Sequence, residues 1–137
     1  MSRTDCGASR EAWNAWFDRE SAWWDGEAAT LIQRLHEESL GDVREALAAL
    51  VDHALFRHEI AQAVGPLTVA PDAPRALLAI SALERIGSPR GAPWLVRALA
   101  FEDERREPAR SAARALTGLD LGFDPAAWTR ALGCALP

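Results

Sequence analysis

The chain has 137 residues, a net charge of −5, and 49% hydrophobic against 26% charged residues. That length fits one domain and supplies enough apolar material for a core without a disulfide or metal. The composition excludes a disordered chain, and the negative balance disfavours general binding to nucleic acid or to an anionic membrane.

All fifteen basic residues are Arg. Residues 1–68 hold 6 Arg and 12 acids, and residues 69–137 hold 9 Arg and 8 acids, so the charge is polarised along the chain. Cys6 and Cys134 lie at opposite ends and suggest neither a disulfide framework nor a zinc knuckle. "MSRTDCGASREAW" has no apolar h-region, and no apolar run is long enough for a bilayer. A cytoplasmic location is the expectation.

Period-3.6 patterning dominates, and nothing alternates with period 2 long enough for a strand. A Trp-rich helix is predicted over 8–24, with Ser9 as its cap, and a second over about 26–38. Gly41–Asp42 marks a turn and a new cap before the amphipathic helix 43–54, which points Val43, Leu47, Leu50 and Val51 inward. A helix over about 56–64 closes at Gly65–Pro66. "PLTVAPDAP" carries three prolines and predicts a rigid loop. Helices follow over 74–86, 92–102 and about 105–117. The last is "DPAAWTRAL", capped by Asp124 with Pro125 at its first position.

Segments "ALLAISALERIG" (76–87) and "ARSAARALTG" (109–118) share small residues on one face and a Leu or Ile shortly before Gly. "HEIAQAVG" (58–65) ends in a similar way. The helices 74–86 and 105–117 lie about thirty residues apart, the size of a two-helix repeat. With "GSPRGAPWLVRAL" (87–99), this pattern resembles bacterial HEAT-like repeats of the phycobilin-lyase type over residues 42–118. The resemblance implies an all-α fold: a short α-solenoid of HEAT-like helical hairpins. Residues 1–41 would be Trp-rich cap helices and residues 119–137 a C-terminal cap, in one domain of 1–137. The Pro-rich loop between 65 and 74 departs from the pattern, where a full helix is expected.

Three constellations bear on function. "RHEIAQAVG" resembles the His-Glu helices of deoxyhypusine hydroxylase, a di-iron HEAT-repeat enzyme, which implies a metal role for His58 and Glu59. That family needs four matched pairs. Here His36–Glu37 is a second pair in a different helical context, and the plainer expectation is that His58 flanks a turn between repeats. Trp13, Trp16, Glu20 and Trp23 share one helical stripe, with Phe17 and Trp24 beside it. Such a face suits a cap or an interface. Arg106, Arg110 and Arg114 repeat at i, i+4, i+8, with Arg97 on the preceding helix.

The resulting expectation is a non-catalytic scaffold or adaptor that binds another protein through its inner helical face. Arg97, Arg106, Arg110 and Arg114 would supply polar contacts, and Trp94, Trp13 and Trp16 apolar anchors. No cofactor, metal or membrane is expected. Self-association, a His-Glu metal enzyme, and a DNA binder using the Arg stripe stand as alternatives.

Overall fold

In a computed structural model, the chain is described over residues 10–37 and 39–132. Ser9, Cys6 and Cys134 lie outside the described residues. Helix α1 (Arg10–Trp23) passes through a π-helical turn (Trp24–Ala28) into α2 (Ala29–Arg34). Then come α3 (Leu40–Leu50), α4 (Arg57–Val64), α5 (Ala73–Ile86), α6 (Ala92–Ala98), α7 (Arg106–Thr117) and α8 (Pro125–Leu132). Short 3-10 turns precede α4 (Ala54–Phe56), follow it (Gly65–Val69) and precede α6 (Pro89–Gly91).

The break expected near residue 25 does not occur. Gly26 costs a helix about 1 kcal/mol, which is not enough to end it. The helix is anchored just before the glycine instead: Trp23 stacks on His53, and Trp24 stacks on Phe56 with centroids 4.6 Å apart. The wider π-turn follows these two consecutive indoles. Ser39, not Asp42, caps α3, its Oγ accepting from the Asp42 N–H at 3.3 Å. Asp124 caps α8 as expected, accepting from the Ala126 N–H at 3.1 Å.

The long helices α3, α5 and α7 begin at Leu40, Ala73 and Arg106, an interval of 33 residues each time. They pack in chain order, α3 on α5 and α5 on α7. Ala46, Ala79 and Ala112 recur at the same interval and are fully buried. Small side chains at these buried positions leave room for close packing, and α5 touches both of the other long helices. Helices α2, α4 and α6 pack against α3, α5 and α7 respectively, and α8 packs on α6. The core between them holds Leu35, Val43, Leu50, Ile60, Leu83, Leu95 and Trp128. Burial on that scale is the main favourable term, about 25 cal/mol per Å² of apolar surface.

The glycines that resemble each other in sequence divide into two kinds. Gly87 and Gly118 adopt φ of 74° and 78° and end α5 and α7 in the left-handed region that glycine tolerates best. Gly65 keeps a helical conformation instead, and the chain runs on as a 3-10 turn. Its requirement is space: a Cβ there would overlap the Trp94 indole.

The Pro-rich segment is fixed by one side chain. Arg105 is fully buried. Its Nη1 donates to the carbonyls of Thr68 (3.1 Å) and Ala70 (2.6 Å), and its Nη2 to that of Pro71 (3.4 Å). Nε donates to the Asp103 carboxylate at 3.0 Å, and the guanidinium lies 3.9 Å from the Phe101 ring centroid. A loop rich in proline has carbonyls to satisfy and few donors of its own, and a buried carbonyl left unpaired is costly. Arg105 supplies those donors.

Candidate partner-binding surface

Helices α3, α5 and α7 bury one side in the core, and the side away from it carries exposed residues. Between α3 and α5 lies a groove of about 130 Å³, lined by Arg44, Leu47, Ala48, Val51, Leu78, Ser81, Ala82 and Arg85. The floor is aliphatic, and Arg44 and Arg85 are exposed. Neither of these arginines makes an ion pair among the described residues.

The arginine stripe lies on α7, and there the chain covers itself. Arg110 donates to both Asp120 oxygens at 3.0 Å and to Glu107 Oε2 at 2.8 Å. Arg114 reaches Asp120 at 3.7 Å. The Phe123 ring takes the guanidinium of Arg106 at 4.9 Å and that of Arg110 at 5.2 Å. The Nε atoms of Arg106 and Arg110 are buried without a hydrogen-bond partner among the described residues. Asp120 is held below the usual carboxylate range, first by the Arg110 hydrogen bond and then by the Gly122 N–H. Arg110 is raised, first by Glu107 and then by Asp120. The segment after α7 therefore occupies much of the stripe that the sequence offers as a docking surface. Arg114 remains the most open of the three, with 55% of its side chain exposed.

Arg97 and Trp94 belong to α6. The Arg97 guanidinium lies 5.5 Å from the Trp94 ring centroid. Trp94 Nε1 donates to Gln62 at 3.3 Å, and the indole covers Gly65, so Trp94 serves packing between α4 and α6.

Trp13 and Trp16 sit on α1, a helix with no buried residue. They meet edge to face at 5.4 Å, and Trp16 meets Phe17 at 6.5 Å. Trp13 and Phe17 stay 47% and 50% exposed. The same stripe continues to Glu20 and Trp23, where the body begins. There Glu20 approaches His53 Nδ1 at 3.1 Å from both oxygens. This His53–Glu20–Trp23 contact was missed from sequence. Its one signal was an acid inside an otherwise aromatic stripe.

His58 and Glu59 part company. His58 Nδ1 shares a 2.6 Å hydrogen bond with Ser88 Oγ, and Ser88 also caps the turn before α6 by accepting from the Arg90 N–H at 3.1 Å. Glu59 is exposed, and so are His36 and Glu37. Among the described residues, no three or more His, Cys, Asp or Glu gather where they could hold a metal ion. No helix among those residues is long and apolar enough to cross a membrane. No family model, curated protein or solved structure matches the chain.

Proposed function

We propose that the chain is a non-catalytic protein-binding module, a short HEAT-like helical array that holds a partner against its α3–α5–α7 face. The observation that supports this most is the open groove between α3 and α5, which sets an aliphatic floor beside two arginines that have no ion-pair partner among the described residues. A face with both an apolar floor and polar edges suits a protein partner, since interfaces combine an apolar centre with a polar rim. Stacked helical hairpins present such faces along one side of the row. The aromatic cluster of Trp13, Trp16 and Phe17 is a second surface of the same kind, open to a partner or to another copy.

The test is affinity capture from the native lysate with the unmodified chain and with Ser81→Arg, which fills the groove between α3 and α5. A protein retained by the first and lost with the second supports the module. Stoichiometric iron, manganese or zinc that disappears in His58→Ala would overturn it in favour of a metal enzyme. Salt-sensitive DNA binding that falls in Arg114→Ala would overturn it in favour of a nucleic-acid binder.

A further inference from the structure

We propose that the groove between α3 and α5 docks an acidic segment carrying an aromatic side chain, presented by a partner protein. The proposal rests on the partner-binding reading and adds the chemistry of what is bound.

The chain already contains one example of this recognition. On α7, the Asp120 carboxylate takes hydrogen bonds from Arg110 and pairs with Arg114, and the Phe123 ring takes the guanidinium groups of Arg106 and Arg110. Arg44 is the fifth residue of α3, just as Arg110 is the fifth residue of α7, two intervals further on. The two arginines thus hold the same place on the first and third of these helices, with Leu77 at that place on α5. Arg110 is occupied by the chain's own segment, whereas Arg44 has no ion pair among the described residues. The neighbouring acid Glu45 is turned to Arg34, at 3.2 Å.

Charge and shape agree on the occupant. Arg44 and Arg85 flank a floor built by Leu47, Val51, Leu78 and Ala82. The volume of about 130 Å³ is close to the roughly 150 Å³ that accepts a benzene ring in an apolar cavity. An aliphatic side chain could fill that floor, but an aromatic one also stacks on guanidinium groups. This molecule uses that contact repeatedly, at Trp94, Phe101 and Phe123. The flanking arginines call for carboxylates, which accept guanidinium hydrogen bonds in a fixed planar geometry.

The probe is a fluorescein-labelled peptide with the chain's own sequence over residues 117–126, TGLDLGFDPA, titrated with the full chain and followed by anisotropy. Saturable binding is expected, weaker by about tenfold for each of Arg44→Ala and Arg85→Ala. Exchanging the peptide's Asp120 for Asn or its Phe123 for Ala should weaken it similarly. Both groove arginines are exposed, so the variants should keep the parent circular dichroism, and Arg44→Lys should restore part of the affinity. Absence of saturable binding overturns the proposal. So does binding that ignores Arg44 and Arg85, or binding lost in Arg114→Ala, which would mean the peptide displaces its own counterpart on α7. Competition by inorganic phosphate or oligothymidylate as effective as unlabelled peptide also overturns it, by making the groove a general anion site. If the peptide fails while a captured partner is still lost with Ser81→Arg, the binding module stands and only this occupant falls.

Discussion

The His53 imidazole lies flat on the Trp23 indole, with ring centroids 3.4 Å apart and planes 10° from parallel. Glu20 approaches the same imidazole nitrogen with both carboxylate oxygens. These contacts fasten a helix that has no buried residue to the linker between α3 and α4. Stacked ring pairs contribute about 0.5–1.5 kcal/mol beyond burial. His53→Ala should therefore lower global stability by only about 1–2 kcal/mol. Its larger effect should be local, with amide exchange in α1 rising while exchange in α5 keeps its protection. Equal loss of protection in α1 and α5 would show that α1 is not the separable element the contacts imply.

Arg105 is the strongest structural prediction. Its removal would leave the carbonyls of Thr68, Ala70 and Pro71 without these donors and Asp103 without its cation. Leaving a buried carbonyl such as that of Thr68 unpaired costs about 1–3 kcal/mol, and the part-exposed Asp103 adds little. Arg105→Met should approach that loss in urea melts. Arg105→Lys should recover little, because an ammonium cannot span a carboxylate and three carbonyls as a planar fork does. Recovery of parent stability by Lys would reduce the role of Arg105 to charge alone.

These two contacts also show what a single sequence reveals. Helical period, the prolines and the Gly endings locate α3 through α8 because they are local signals, read from residues within a turn or two. Val43, Leu47 and Leu50 are inward for the same reason. Arg105 looks in sequence like one more exposed arginine in "DERRE", since its partners lie some 35 residues away. The α7 stripe is legible as spacing, yet its engagement by Asp120 and Phe123 depends on how the chain turns after Gly118. The groove at Arg44 and Arg85 joins residues of two helices, and neither helix alone marks it. Gly65 reads as a helix ending, whereas its need is for space under Trp94.

That close approach yields a paired prediction. Gly65→Ala places a methyl group inside the Trp94 indole and should cost about 1–3 kcal/mol, the range for overpacking a core. Trp94→Leu loses the Gln62 hydrogen bond and the stacked Arg97, but it clears the space. The double variant should be less damaged than the sum of the single losses, with a coupling of about 1 kcal/mol or more in a double-mutant cycle. Additive losses would mean that the clash is relieved elsewhere.

The pH dependence of folding follows from two aspartates. Asp103 is held below the usual carboxylate range chiefly by the Arg105 backbone N–H, which reaches it at 3.0 Å, with the Arg105 side chain adding to the effect. Asp120 is lowered chiefly by Arg110. A carboxylate whose folded value is depressed contributes its stability in full above its unfolded value, about 3.9 for Asp, and loses it as pH falls through the folded value. Stability should therefore decline on acidification below about pH 4, with the folded chain binding fewer protons than the unfolded one. Asp120→Asn should be slightly less stable near neutrality and show a shallower acid decline, because one of the two depressed sites is gone. Both sites are solvent-facing, with side chains 34% and 42% exposed, so each effect should shrink as salt is added. Urea melts of parent and variant between about pH 5 and pH 2 read this directly. Parallel curves would show that Asp120 gains nothing from Arg110 on folding, and that the segment after α7 is held by its other contacts, the Phe123 ring and the Trp128 hydrogen bond to the Gly122 carbonyl among them.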